Sequence, residues 1–84
     1  MSDVYSIEAT SDIIRGSNNL GTNHLIENLN KAQVLHLIEE NNKMFGKPRC
    51  LAGMILWVNR KNDTFCFNIY KNNICLNILS LDDL

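Results

Sequence analysis

The sequence predicts an α+β fold in which one amphipathic helix packs on a three-stranded antiparallel meander. Three observations lead to this prediction: start and stop signals that frame a helix over residues 31–45, strand-like alternation after Cys50, and a two-residue turn signal at Asn72–Asn73. A chain of 84 residues is too short for a second core, so a single small domain is expected. Residues 1–21 are expected to form an N-terminal arm of that domain.

Individual residues mark the boundaries of the main helix. Asn30 can cap the first turn, and Gln33 follows three positions later, which completes a capping box. Gly46 can take the left-handed conformation that commonly ends a helix. The helical period then gives one apolar face, which is expected to contact the sheet. This face comprises Val34, Leu35, Leu37, Ile38, Met44 and Phe45.

Two minor elements are predicted before the main helix. Polar and apolar residues alternate over residues 1–10, which favours a short N-terminal edge strand. Residues 22–28 are predicted to form a separate short helix that ends before Asn30. The break is placed there because one continuous helix would turn Leu25 and Leu29 toward its polar side.

Three strands are predicted after the main helix, because polarity then alternates with the period of a strand. They cover residues 50–59, 64–71 and 74–81. Asn72–Asn73 suits the two central positions of a type I′ turn, since Asn is among the few residues that accept positive φ. This turn pairs Tyr70 with Cys75.

The register of the first two strands is predicted from the turn between them, with Asn59 opposite Thr64 and Val58 opposite Phe65. The helix is then expected to cover one sheet face, which holds Ala52, Met54, Leu56, Val58, Phe65, Phe67, Ile69, Ile74, Leu76 and Ile78. The outer face is too apolar for an ordinary solvent-facing sheet. It holds Leu51, Gly53, Ile55, Trp57, Cys66, Asn68, Tyr70, Cys75, Asn77 and Leu79.

The composition argues against several functional classes. Eight basic and nine acidic residues leave a formal net charge of −1, so no overall field would attract nucleic acid or an anionic membrane. No phosphate-binding loop, dinucleotide fingerprint, nucleophile elbow or metal-spaced cluster occurs in the sequence. The predicted register places Cys50 on the inner face but Cys66 and Cys75 on the outer one. We therefore expect no enzymatic activity, no cofactor and no metal site.

The cellular setting is predicted from three features. Three cysteines without a CxxC pair favour reduced thiols over a disulfide framework. No signal sequence is recognisable, and the longest apolar run, Leu51 to Val58, is too short to span a membrane. These three features predict a cytoplasmic protein. The many asparagines are typical of AT-rich coding, which favours a virus or mobile element as the source.

The outer sheet face is the leading candidate for a functional surface. Trp and Tyr are among the residue types most often found as energetic anchors of protein interfaces. The sequence therefore predicts a small adaptor or inhibitor that occupies the surface of a partner protein through Ile55, Trp57, Tyr70 and Leu79. A second candidate surface is the polar face of the main helix, formed by His36, Glu39, Glu40 and Lys43.

Three alternatives stay open at this point. The N-terminal arm could fold over the outer face and make it a second small core. Two copies could meet through outer faces or edge strands as a homodimeric structural or assembly subunit. Aromatic side chains on an open sheet could also stack single-stranded nucleic acid or a nucleotide. The basic residues argue against this last alternative, because they cluster at the turns, at Arg60, Lys61 and Lys71.

Overall fold

The computed structural model describes residues 3–15, 18–51, 53–58 and 63–84, and for residues 12–15 and 18–22 it describes the backbone alone. Within these residues one α-helix and a sheet of six antiparallel strands form an α+β fold, which confirms the predicted class but with a larger sheet. The elements in chain order are β1 (Tyr5–Arg15), β2 (Asn18–Leu29), α1 (Lys31–Phe45), β3 (Arg49–Leu51), β4 (Met54–Val58), β5 (Thr64–Lys71), β6 (Ile74–Cys75) and a short 3₁₀ helix (Leu81–Asp83). The strand order is β2-β1-β5-β4-β3, and β6 pairs with one end of β5. Among the described residues, no helix combines the length and hydropathy needed to cross a membrane.

The boundaries of α1 are those predicted. The Asn30 side chain accepts a hydrogen bond from the Gln33 N–H at 2.8 Å, and the Gln33 side chain accepts one from the Asn30 N–H at 2.8 Å. At the other end Gly46 has φ 90°, and its N–H donates to the Asn42 carbonyl at 2.8 Å. Both ends of the helix therefore have partners for backbone groups that would otherwise lack them.

The buried face of α1 is narrower than predicted. Val34 and Ile38 are buried, while Leu37 and Phe45 pack partly against the core. Leu35 and Met44 are 42% and 66% exposed, because they lie at the two margins of the apolar arc. A helix on a sheet buries the centre of such an arc and leaves its margins to solvent.

β1 and β2 are long strands that pair with each other in the antiparallel direction. Residues 22–28 lie in β2, so the predicted short helix is wrong. β1 is a strand as expected, but it lies inside the sheet between β2 and β5 and is not an edge strand. A helix of one or two turns has little stability of its own, whereas pairing with β1 gives the backbone of residues 22–28 hydrogen-bond partners.

The start of β1 is tied to the turn between β5 and β6. The Val4 N–H donates to Asn72 Oδ1 at 3.0 Å, and the Val4 carbonyl accepts from the Asn72 N–H at 2.7 Å. The Asn72 side-chain amide donates to Asp3 Oδ1 at 3.1 Å, and Lys71 Nζ lies 3.4 Å from Asp3 Oδ2. This hydrogen bond and the charge of Lys71 lower the pKa of the Asp3 carboxyl. β1 is thereby held beside β5, so residues 5–15 do not fold over the outer face of the sheet.

The predicted first strand of the meander, residues 50–59, is in fact a tight hairpin. β3 and β4 pair with Leu51 opposite Met54 and Arg49 opposite Leu56. Gly53 has φ 80° in this reversal, a conformation that suits glycine. A Cβ at this position would also lie 3.0 Å from the Asn77 side chain, so glycine allows a close approach of the C-terminal segment.

The predicted third strand, residues 74–81, is wrong in length. The two-residue turn is confirmed, since Asn72 and Asn73 have φ 52° and 66° and Tyr70 lies opposite Cys75. Only Ile74–Cys75 continue as a strand, because β1 occupies one side of β5 and β4 occupies most of the other. After Cys75 the Leu76 N–H still donates to the Ile69 carbonyl at 2.8 Å, and Ile78 forms an isolated bridge with Gly53. Ile78 is 2% exposed and lies in the core.

The register between β4 and β5 differs from the prediction by one residue. Val58 lies opposite Thr64 and Trp57 lies opposite Phe65, whereas the prediction placed Val58 opposite Phe65. Residues 59–62, which contain most of the predicted turn, lie outside the described part of the chain. A shift of one residue exchanges the two faces of a strand, so β4 directs Ile55 and Trp57 toward α1. The core comprises Tyr5, Ile7, Val34, Ile38, Ile55, Trp57, Phe67, Ile69 and Ile78.

Candidate functional site

The open face is the sheet face opposite α1. Residues directly opposite each other in paired strands point to the same side of a sheet, and the core residues Ile7, Ile69, Phe67 and Ile55 define the side that α1 covers. The intervening residues therefore point away from α1. Those whose side chains are described are Ser6, Glu8, Thr10, Asn23, Leu25, Arg49, Leu51, Met54, Leu56, Val58, Thr64, Cys66, Asn68 and Tyr70.

Two rows of paired residues cross the open face. One row runs from β2 to β3 through Leu25, Glu8, Asn68, Met54 and Leu51. The next row runs through Asn23, Thr10, Cys66, Leu56 and Arg49. Neighbouring residues in a row are about 5 Å apart. The polar residues thus concentrate on β1, and the apolar residues concentrate toward β3 and β4.

The apolar patch is the part of the open face formed by Leu51, Met54, Leu56, Val58 and Cys66. Leu51 and Val58 are each 48% exposed, and the other three are half-buried by their neighbours. None of the five belongs to the buried core. In the described part of the chain no element covers them. Arg49, Thr10 and Asn68 border the patch, so it has an apolar centre and a polar rim, as protein interfaces do.

Two of the predicted contact residues lie in the core. Ile55 and Trp57 are each 0% exposed, so the prediction that they form an accessible surface is wrong. Trp57 Nε1 donates to Asn42 Oδ1 of α1 at 2.8 Å, and its ring meets the Phe67 ring edge-to-face at 4.9 Å between centroids. The indole is therefore buried with its polar group satisfied, as buried tryptophans require.

The other two predicted contact residues are accessible but lie apart from each other. Tyr70 is half-buried on the open face, opposite Ser6 and Cys75. Leu79 is 72% exposed, but it follows the last strand and lines a separate cavity of about 440 Å³ with Lys47 and Pro48. The structure therefore does not bring the four predicted contact residues together.

The second candidate surface is exposed as predicted. His36, Glu39, Glu40 and Lys43 lie on the solvent side of α1. His36 Nε2 is 3.8 Å from Glu40, and Lys43 Nζ is 3.9 Å from both Glu39 and Glu40. Exposed pairs of this kind contribute little to stability. A binding role for this surface stays a prediction.

An apolar groove of about 450 Å³ separates β2 from α1. Ile26 and Leu29 line it on one side, and Ala32, Leu37 and His36 line it on the other. The sequence analysis missed this groove because residues 22–28 were expected to be helical. The polar residues of its lining are His36 and the capping residues Asn30 and Gln33, whose side chains already accept hydrogen bonds from each other's backbone N–H groups.

The nucleophilic and metal-ligating residues are dispersed. In the described ranges no group of three or more His, Cys, Asp or Glu side chains could hold a metal ion. Cys50 is half-buried on the covered face, Cys66 lies on the open face and Cys75 is exposed. The prediction likewise placed Cys50 on the inner face and the other two cysteines on the outer face. Burial, together with the charge of Asp83, raises the pKa of the Cys50 thiol, so this thiol is protonated at neutral pH.

Three open-face residues were missed by the sequence analysis, namely Met54, Leu56 and Val58. Both faces of β4 are apolar, so alternation alone cannot orient this strand. Side-chain size was the available signal, because a Trp in a small domain has the largest apolar surface to bury. That signal favours Trp57 inside, and with it Met54, Leu56 and Val58 outside.

Comparisons with known protein families, with curated proteins and with solved structures find no match to this chain.

Proposed function

We propose that the protein is a non-enzymatic protein-binding module that holds a partner protein against the open face and acts as an adaptor or inhibitor. One observation carries the proposal: the apolar patch is left uncovered in the described chain, while α1 and the C-terminal residues pack on the opposite face. An antiparallel sheet with one solvated face normally carries polar residues there. Leu51, Met54, Leu56 and Val58 depart from that pattern side by side.

The patch can supply binding energy at its centre. Fully burying a Val, Leu or Met side chain contributes about 1.5–3 kcal/mol. Leu51 and Val58 have about half of their surface still available, at 48% exposure each. Tyr70 and Arg49, at two margins of the open face, are of the residue types enriched at energetic centres of interfaces. A partner that suits this surface presents apolar side chains to the patch and an acidic group near Arg49.

The nucleic-acid alternative has less support than protein binding. It depended on Trp57 and Tyr70 sharing one accessible surface, but Trp57 is 0% exposed on the opposite side of the sheet. Arg49 is the one basic side chain among the described residues of the open face, and Glu8 adds a negative charge to the same face. A chain that tracks phosphates needs a basic groove as well as stacking partners. We further propose a cytoplasmic setting and a viral or mobile-element source for the protein.

Affinity capture with three forms of the tagged protein tests the proposed surface. Leu56→Lys places a charge at the centre of the patch and is expected to reduce capture of the partner about tenfold or more. Leu35→Lys is the matched control, because Leu35 is 42% exposed on α1, away from the open face. The native chain and Leu35→Lys are expected to capture the same protein from extracts of the producing cells. Equal capture by all three forms, or a loss with Leu35→Lys alone, would contradict the proposed surface.

A further inference from the structure

We propose that two copies of the chain pair edge to edge through β2 and form a dimer with one continuous sheet. The inference goes beyond the proposed function and does not rest on it. β2 lies at one edge of the sheet, and among the described residues it pairs with β1 alone. An edge strand presents unpaired backbone N–H and C=O groups along its outer side, which are a template for a further strand.

The two edges of the sheet differ in how they are protected. β3, at one edge, has three residues, contains Arg49 and follows directly after Lys47 and Pro48. Short length, a basic residue and a neighbouring proline are the features by which proteins prevent edge pairing. β2 has 12 residues, contains no Pro, Lys or Arg, and carries Glu27 as its single acidic residue. Its pairing with β1 is irregular between Ile26 and Leu29, where Asn28 has φ 60°, and is regular over residues 18–26. The fold therefore has one edge that is protected along its length and one that is unprotected over residues 18–26.

A second copy suits the unprotected edge. In an antiparallel pair related by a two-fold axis normal to the sheet, a register centred on Leu25 places Leu25 opposite its own copy and Glu27 opposite Asn23. The single carboxylate then does not face itself. Leu25 is 60% exposed, and an apolar cross-strand neighbour would cover part of that surface.

The dimer closes at two copies and extends the open face. Since the β3 edge is protected, each copy has one edge available, and pairing the two β2 strands uses both. An axis normal to the sheet also keeps the two open faces on the same side. The two apolar patches would then lie on one surface, with Leu25 of both copies between them.

Mass measurement by sedimentation equilibrium tests the dimer, with variants that place the same charge at the two edges. Leu25 and Leu51 lie at opposite ends of the same row of the open face, and they are 60% and 48% exposed. The native chain and Leu51→Lys are expected to show twice the chain mass of 9.6 kDa at high micromolar concentration. Leu25→Lys places two lysines opposite each other and is expected to show the single-chain mass.

Three results would overturn the proposed dimer: a native chain that stays at the single-chain mass, a Leu25→Lys variant that keeps the double mass, and loss of the double mass by both variants. The last result would point to the open face as the contact. Hydrogen exchange of the native chain is a second readout that needs no variant. Those amides of residues 23–27 that point away from β1 are expected to gain protection as the concentration rises, and unchanged protection would also contradict pairing through β2.

Discussion

Trp57→Ala is expected to lower the free energy of unfolding by about 3–5 kcal/mol, the range for removing a large buried aromatic side chain. Trp57 is 0% exposed, and it contacts the Phe67 ring and the Asn42 side chain of α1. Its removal leaves a cavity between α1 and the sheet and a hydrogen-bond acceptor without its donor. Because small domains have total stabilities of about 5–15 kcal/mol, the loss is a large part of the whole. Urea denaturation followed by far-ultraviolet circular dichroism measures it.

Leu79→Ala is the matched control for Trp57→Ala. Leu79 is 72% exposed and was predicted from the sequence to share a contact surface with Trp57. Its truncation is expected to change the stability by less than about 0.5 kcal/mol. If Trp57→Ala unfolded at the same urea concentration as the native chain, Trp57 would not be part of the core.

Ile55→Lys is expected to prevent folding, whereas Leu56→Lys is expected to be tolerated. The two residues are neighbours in β4 and point to opposite faces. Ile55 is 0% exposed, so its replacement removes a core side chain and buries an unpaired charge, at a total cost of more than about 4 kcal/mol. Leu56 is half-buried on the open face, where a lysine can extend its ammonium group into water, so a cost below about 1.5 kcal/mol is expected.

Thermal unfolding of the two lysine variants, compared with the native chain, decides between the two orientations of β4. Because the variants carry the same new side chain in the same strand, differences in charge and strand propensity largely cancel. A folded Ile55→Lys variant beside an unfolded Leu56→Lys variant would show that the covered face of β4 is the one predicted from the sequence.

The elements that could be predicted from the sequence are those encoded by neighbouring residues. Asn30, Gln33 and Gly46 interact with groups within four positions of themselves, so the boundaries of α1 follow from local chemistry. The turn at Asn72–Asn73 is equally local, because it depends on two residues that accept positive φ. Neither feature required knowledge of the rest of the sheet.

The remainder of the sheet depends on partners that are distant in sequence. Residues 22–28 form a strand because β1 supplies hydrogen-bond partners, and β6 is short because β1 occupies one side of β5 and β4 occupies most of the other. No residue within those segments encodes that competition. The hairpin at Gly53 has a local signal, since glycine in an apolar strand-like run indicates a reversal or a bulge, and the sequence interpretation passed over it.

Part of the candidate site could be predicted from the sequence, namely the part for which local alternation shows the direction of the side chains. The alternation of β5 is clear, with Phe67 and Ile69 on one side, so Cys66 and Tyr70 were assigned correctly to the outer face. β4 is apolar on both sides, and its orientation was taken from a turn whose register differs by one residue. Because of this one-residue shift, Ile55 and Trp57 were predicted to lie on the binding surface, whereas the structure places Met54, Leu56 and Val58 there.

Fluorescence of Trp57, the one tryptophan in the chain, measures most directly which face of β4 is covered. With Trp57 between the sheet and α1, the native emission is expected to be blue-shifted, and quenching by acrylamide is expected to be far weaker than in the urea-unfolded chain. Both changes should disappear together across the unfolding transition. Emission and quenching that are the same in the native and unfolded chains would place Trp57 in solvent. The open face would then have to be assigned to the other side of β4.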